Sequence, residues 1–108
     1  MLCFKKKLLA GGSKDKTIKV LQVDTGKEIV TLTGHNDYVT SVAISLNGKF
    51  LASGSKDKTL KLWTLTTGEL ISTITHDAQI KTVAFSPNNR ILATGCELGN
   101  INLFDTKF

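Results

Sequence analysis

The stretch that decides the fold is GHNDYVTSVAISLNGKFLASGSKDKTLKLWT, residues 34–64. Its two apolar runs, at 39–44 and 50–54, each lead into a turn-like sequence, Leu46-Asn47-Gly48 and Lys56-Asp57-Lys58. Apolar Leu60 and Leu62 then alternate with their neighbours, as in a half-buried strand. The pattern predicts short strands separated by sharp turns.

This stretch belongs to a set of similar units. The segments LAGGSKDKTIKVL, LASGSKDKTLKLW and LATGCELGNINLF begin at residues 9, 51 and 92, and HNDYVTSVAIS from residue 35 matches HDAQIKTVAFS from residue 76. The spacing between successive segments, from residue 9 to 51 and from 51 to 92, is typical of four-stranded propeller blades.

The units resemble repeats of the WD-repeat (tryptophan-aspartate) β-propeller family. The resemblance rests on Gly34-His35, on the Leu51–Asp57 run and on Trp63, and it extends over nearly all of residues 8–105. The chain departs from the family pattern where Trp63 is followed by Thr64 and not by aspartate.

The resemblance implies a hydrogen-bond chain through His35, Ser53, Asp57 and Trp63 that holds three strands of one blade together. The four side chains suit each other, because an indole only donates, a carboxylate only accepts, and a hydroxyl and an imidazole do both. The flanking units lack members of this set, with Gly11 and Leu21 in the first and Leu98 and Phe104 in the third. We therefore expect the middle unit to be the most rigid.

The fold implied is all-β, a partial (open) β-propeller of consecutive four-stranded antiparallel blades. We expect an incomplete first blade over residues 1–34, a complete central blade over 35–75 and an incomplete third blade over 76–108. The predicted strands are 8–13, 17–23, 28–32, 38–45, 49–55, 59–64, 69–74, 80–86, 90–96 and 100–105, with a poorly matching remnant at 1–7 and a turn at Pro87-Asn88-Asn89.

Propellers of the family close rings of about four to eight blades, and this chain is too short to do so alone. We expect the outer blades to expose apolar faces, at positions such as Ile18, Val20, Ile101 and Leu103. The chain is then a fragment of a longer propeller, self-associates, or completes another propeller; ends that miss the blade boundaries favour the fragment.

Composition is ordinary for a globular protein, with 41% hydrophobic and 21% charged residues, and the net charge of +5 favours anionic partners. Lysines at strand edges also suppress aggregation, which is the alternative reason for that charge. Cys3 and Cys96 are too few for a disulfide framework or a metal site and fit a reducing, cytoplasmic setting. The N-terminal residues resemble neither a secretion signal nor a membrane span, so no membrane partner is expected.

Catalytic and cofactor chemistry is not indicated. His35, Ser53 and Asp57 are the residue types of a nucleophilic triad, but their spacing fits the structural chain better. The glycines lack the context of a phosphate-binding loop, and the histidines, cysteines and aspartates lack the spacing of zinc or calcium ligands. We expect a protein that is not an enzyme and holds neither cofactor nor metal.

By resemblance, the loops between second and third strands lie on one face of the propeller, together with the loops that enter each blade. The candidate partner-binding residues on this face are Lys14, Lys16, Asn36, Lys56 and Lys58. The lysines would form a basic arc that attracts acidic segments of other proteins; the alternative is that Lys-Asp-Lys is simply a solvated turn.

These observations predict a non-catalytic protein-interaction scaffold of the WD-repeat type. The alternative is a detached sensor segment of a multidomain signalling enzyme with an ATPase, kinase or protease domain, because the near-identical repeats resemble those of large bacterial proteins of that kind. A basic nucleic-acid-binding module is the third hypothesis. It is weaker because aromatic residues for base stacking are sparse.

Overall fold

A computed structural model of the protein describes residues 2–5, 7–88 and 90–106, with only the backbone for 2–5. The described part consists of strands and turns. The first sheet contains β1 (Leu2–Lys5), β2 (Leu8–Gly12), β3 (Thr17–Gln22) and β4 (Glu28–Thr33). The second contains β5 (Val39–Ile44), β6 (Phe50–Ser55), β7 (Thr59–Thr64) and β8 (Leu70–Thr75), and the third contains β9 (Ile80–Phe85), β10 (Ile91–Cys96) and β11 (Ile101–Asp105).

Each strand pairs antiparallel with the next strand of its sheet, and none of the sheets closes on itself. The prediction of an all-β, open, partial propeller is therefore confirmed. The first sheet, expected to be incomplete, holds four strands, although β1 is only four residues long. The boundaries at residues 34/35 and 75/76 stay a prediction, and part of the predicted 1–7 remnant and of the turn at 87–89 lies outside the described residues.

The sheets stack because each presents an apolar face to the next. One core joins the first and second sheets and includes Ile18, Val42 and Trp63; another joins the second and third and includes Leu60, Ile80 and Val83. The main contacts between sheets run through β1, β2, β5, β6 and β9. The first strands of the sheets therefore lie close together, as the inner strands of a propeller do.

In the first and second sheets, a glycine at the same position of the second strand permits this close approach. A Cβ atom on Gly54 would lie 2.4 Å from Ile80 Cγ2, and one on Gly12 would lie 2.6 Å from Val39 Cγ1. In both cases the obstacle is a β-branched residue at the start of the next sheet. A side chain there would push the sheets apart.

Two of the four positions expected to lie on open faces are in fact buried. Ile18 and Val20 are 0% and 1% exposed, whereas Ile101 and Leu103 are 75% and 67% exposed. The prediction was wrong for Ile18 and Val20, because this face of β3 is covered by the following sheet. The equivalent face of β11 is open.

The turns between second and third strands adopt one geometry in all three sheets. Asp57 Oδ1 accepts the amide of Thr59 at 2.9 Å, and Lys58 between them has φ = 71°. Lys16 has φ = 74° at the equivalent position, and Gly99 occupies it in the third sheet with φ = 88°. The left-handed region is costly for any residue with a Cβ atom, so two of the three turns carry a local strain.

Replacing Lys58 by glycine is expected to raise the free energy of unfolding by about 0.5–1 kcal/mol, since relief of the strained φ exceeds the entropy glycine gains in the unfolded state. Urea denaturation measures the change. Lys56→Gly is the matched control: it removes the same charge from the same turn at a residue without positive φ. It should destabilise. Equal effects of the two substitutions would contradict the assignment of strain to Lys58.

Candidate functional site

Four side chains form a continuous hydrogen-bonded relay across β6, β7 and the loop before β5. Trp63 Nε1 donates to Ser53 Oγ at 2.9 Å, and Ser53 Oγ lies 2.6 Å from His35 Nε2. His35 Nδ1 lies 3.0 Å from Asp57 Oδ2. Ser53 is 0% exposed and Trp63 is 2% exposed, so the relay is closed to solvent over most of its length.

The chemistry of the two ends fixes the direction of every bond in the relay. The indole can only donate, so Ser53 Oγ accepts from it and donates its own hydroxyl hydrogen to His35 Nε2. The carboxylate can only accept, so His35 carries its proton on Nδ1 and donates it to Asp57. Each buried polar group of the relay therefore has a hydrogen-bond partner when the imidazole of His35 is in one neutral tautomer, with its proton on Nδ1.

Two further groups complete the surroundings of the Asp57 carboxylate. The Asn36 amide donates to Oδ2 at 2.9 Å, and the Thr59 hydroxyl donates to Oδ1. Sequence reasoning missed both. The available signal for Thr59 was its position two residues after Asp57, which is typical of an Asx turn; the backbone amide of Asn36 carries no sequence signal.

The relay shifts the pKa values of its two ionisable members. Burial lowers the pKa of His35 below its ordinary 6.5, with the Asp57 carboxylate acting in the opposite direction. Burial raises the pKa of Asp57, but the hydrogen bonds from Thr59, Asn36 and His35 outweigh it and bring the value to about 2. The folded protein therefore favours neutral histidine and ionised aspartate.

Acidification is expected to destabilise the protein in two steps. As the pH falls through 6.5, the unfolded state takes up a proton that buried His35 resists, and stability declines. As it falls from 3.8 toward about 2, Asp57 adds a loss of about 1–2 kcal/mol, because its proton binds more tightly in the unfolded state. Denaturant titrations across this range measure both steps. If His35→Gln showed the same pH dependence above pH 5 as the unchanged protein, the first step would not belong to His35.

The flanking sheets hold only parts of this relay. In the first, Asp15 accepts the Thr17 amide at 3.0 Å within its own turn, and the Thr17 hydroxyl bond lowers the pKa of Asp15. In the third, His76 Nε2 lies 3.1 Å from Thr94 Oγ1, the ring of Phe104 packs edge-on against His76, and Leu98 is 71% exposed. The joined relay therefore belongs to the middle sheet.

The candidate partner-binding residues lie on one edge of the sheets, which we call the loop face; it consists of residues 13–17, 34–38, 55–59, 75–79 and 96–100. Backbone hydrogen bonds connect its loops: Val39 N donates to Ser13 O at 3.4 Å, and His76 N donates to Lys58 O at 2.7 Å. Lys14, Lys16, Asn36 and Lys58 are exposed, and half-buried Lys56 places Nζ 5.0 Å from the centre of the Tyr38 ring.

The geometry does not suit acyl-transfer chemistry. Ser53 Oγ is buried and already accepts the indole N–H, so it has neither the exposure nor the approach that a nucleophile needs. Within the described ranges, no three His, Cys, Asp or Glu residues gather closely enough to hold a metal ion. The same residues include no helix long and apolar enough to cross a membrane.

Stacked four-stranded sheets, a loop face and an internal relay ending in tryptophan and aspartate define a segment of an open β-propeller. The family model described as WD40, "WD domain, G-beta repeat", matches residues 26–64 and 68–105, and the chain belongs to this family. Repeats of this family generally serve as non-catalytic scaffolds for protein–protein interaction.

Two curated relatives resemble the chain over part of its length. Nuclear distribution protein PAC1-2 of Postia placenta is 42% identical over 41 residues, 38% of this chain and 10% of the relative. Nuclear distribution protein PAC1 of Mycosarcoma maydis is 46% identical over 41 residues, 38% of this chain and 9% of the relative. The chain thus matches about a tenth of the length of these relatives.

Proposed function

We propose that the chain is a non-catalytic interaction scaffold that binds acidic segments of partner proteins on its loop face. The observation that carries the proposal is the arrangement of charge on the two Ser-Lys-Asp-Lys-Thr turns. Asp15 and Asp57 are hydrogen-bonded to the threonine of their own turn, whereas Lys14, Lys16 and Lys58 are exposed. The Asp15 carboxylate is exposed as well, but the exposed lysine ammonium groups of the two turns outnumber it, so the turns present a net positive charge to an approaching protein.

The distribution of acidic residues limits the basic region to the first two sheets. Exposed Asp77 and Glu97 lie on the part of the loop face that the third sheet contributes. A partner segment would therefore align its acidic residues with the two lysine turns. Such a surface mainly accelerates association and gives it a marked salt dependence.

The experiment uses a glutamate-rich decapeptide and its glutamine counterpart as probes, with binding followed by isothermal titration calorimetry at low and high salt. We expect the glutamate peptide alone to bind, with weaker binding at high salt. The double variant Lys14→Gln/Lys58→Gln should bind it more weakly. The matched control Lys27→Gln/Lys49→Gln removes the same charge from exposed residues in the turns at the opposite edge. Equal losses in the two double variants, or binding of the glutamine peptide, would overturn the proposal.

We also infer that the chain contributes blades to a larger propeller, either as part of a longer chain or by association. Equivalent positions carry this inference: Ile18 and Leu60 are 0% and 1% exposed against the next sheet, while Ile101 is 75% exposed. Leu103 extends the same apolar face. Light scattering tests it: we expect association that Leu103→Glu abolishes, and a monomer at every concentration would contradict self-association.

A further inference from the structure

A cavity of about 260 Å³ lies on the loop face where the third sheet begins. Its walls include His76, Asp77, Ala78, Cys96, Asn100 and Phe104. These residues come from the β8–β9 connection, the end of β10, the β10–β11 turn and β11, and Ile74 and Thr75 at the end of β8 also line the cavity. The cavity therefore lies at the loop-face end of the junction between the second and third sheets.

The equivalent location in the second sheet shows what this cavity is shaped to hold. There, the Asp57 carboxylate is surrounded by His35 Nδ1 at 3.0 Å, the Asn36 amide at 2.9 Å and the Thr59 amide at 2.9 Å. The counterparts of these three residues, 41 positions further along the chain, are His76, Asp77 and Asn100. All three line the cavity.

The third sheet has no carboxylate at the position equivalent to Asp57, although Asp77 lies in the cavity wall. Leu98 stands at the position equivalent to Asp57, and its side chain is 71% exposed. The cavity is lined by the counterparts of the residues that surround Asp57 but not by Leu98, which leaves the place of the carboxylate open.

His76 gives an independent sign that the site is built for a ligand. Its Nδ1 atom is buried and has no hydrogen-bond partner among the described residues, while Nε2 is paired with Thr94 Oγ1 at 3.1 Å. A buried polar atom without a partner costs stability. If Thr94 donates to Nε2, as Ser53 does to His35, Nδ1 carries a proton and needs an acceptor.

We propose that this cavity binds the side-chain carboxylate of a single aspartate or glutamate of a partner polypeptide, in the position that Asp57 occupies in the second sheet. The carboxylate accepts from His76 Nδ1 and from the Asp77 amide. The cavity is larger than a carboxylate group, which leaves room for the side-chain methylene groups and backbone that a polypeptide brings. Exposed Asp77 and Glu97 beside the cavity repel any carboxylate that enters it, and the hydrogen bonds from His76 and the Asp77 amide have to outweigh that repulsion. Because the repulsion grows with each added negative charge, the ligand is one acidic residue and not an acidic run.

This inference rests on the proposed function, because it assigns the ligand chemistry of one pocket on the loop face. The probes are acetyl-Gly-Asp-Gly-amide, acetyl-Gly-Asn-Gly-amide and sodium acetate, each titrated into the protein labelled with ¹⁵N. We expect the aspartate peptide alone to give a saturable shift of the His76 ring nitrogens and of the amides around the cavity. Equal shifts with the asparagine peptide would overturn carboxylate recognition, and equally tight binding of acetate would overturn the polypeptide source.

Substitution of Leu98 provides a second test of the proposed pocket. Leu98→Asp places a carboxylate in the chain itself, so it should raise the thermal midpoint and weaken binding of the aspartate peptide by about tenfold or more. Leu98→Asn is the matched neutral control and should leave peptide binding unchanged. If Leu98→Asp does not fold, His76→Gln replaces it and should remove the saturable shift. Unchanged peptide binding in Leu98→Asp or His76→Gln would overturn the proposal.

The pocket and the lysine turns fail separately. A protein that shows no saturable shift at His76 but still binds the glutamate decapeptide through Lys14 and Lys58 contradicts the pocket and supports the proposed function. Loss of decapeptide binding with the His76 shift retained contradicts the proposed function and supports the pocket.

Discussion

Replacing Ser53 by alanine is expected to destabilise the protein by about 3 kcal/mol, because it leaves two buried groups unpaired at once. Trp63 Nε1 loses its acceptor, and His35 Nε2 loses its donor. Neither group can turn to water, since His35 is 6% exposed and Trp63 is 2% exposed. Guanidinium denaturation monitored by the fluorescence of Trp63, the single tryptophan of the chain, measures the loss.

The matched control is Thr94→Ala in the third sheet. Thr94 is 1% exposed and occupies the position equivalent to Ser53, but it is paired with His76 alone at this site. Its replacement leaves one group unpaired, and we expect a loss of about 1–2 kcal/mol. If Ser53→Ala cost no more than Thr94→Ala, the relay would not be the element that holds the middle sheet together. Loss of a hydrolase activity without loss of stability in Ser53→Ala would instead restore the catalytic hypothesis.

Replacing Gly54 by alanine is expected to cost about 2–3 kcal/mol, because it forces the second and third sheets apart. The new methyl carbon would lie 2.4 Å from Ile80 Cγ2, 3.1 Å from Ile80 Cβ and 3.2 Å from Val83 Cγ1. Ile80 is 0% exposed and Val83 is 6% exposed, so neither side chain has free space to move into. Chemical denaturation measures the change in the free energy of unfolding.

Gly95 provides the matched control, because it is the third-sheet counterpart of Gly54. A Cβ atom there meets Thr82 Cγ2 at 2.8 Å and no other atom within 4 Å outside its chain neighbours. Thr82 is exposed and can turn aside, so Gly95→Ala should change stability by less than about 1 kcal/mol. Comparable losses at the two glycines would mean that close approach of the next sheet is not what excludes a side chain at Gly54.

Strand content and order followed from local patterns. The run from Val39 to Ile44 and the alternation around Leu60 and Leu62 predicted strands within a residue or two of β5 and β7. The recurrence of this pattern at residues 9, 51 and 92 predicted consecutive sheets. Such features are legible in a sequence because period and turn chemistry act between near neighbours in the chain.

The relation between sheets was harder to predict. Ile18 and Ile101 are equivalent by sequence, yet one is buried and the other exposed, because burial depends on whether another sheet follows. Hydrogen bonds between sheets were likewise missed: Ser41 Oγ accepts the Val83 amide at 3.1 Å, and the Thr40 hydroxyl donates to the Ile80 carbonyl. Polar residues in an apolar strand do not reveal which distant backbone groups they will meet.

The candidate site was also predictable from the sequence only in part. The resemblance proposed the members of the relay, and the structure joins them by hydrogen bonds. The cavity beside His76 was not predicted, because it depends on the loss of the carboxylate at Leu98 and on the backbone that retains its shape. Comparison of equivalent positions in neighbouring sheets was needed to recognise it.

The central claim is that three sheets stack as consecutive blades, with the middle one covered on both faces and held by the intact relay. Amide hydrogen exchange, resolved by residue, tests it most directly. We predict the slowest exchange in β5, β6 and β7. Five of the six residues are buried in β5 and five of the six in β6. Protection in β2–β3 or β9–β10 equal to or greater than in these strands would contradict the claim.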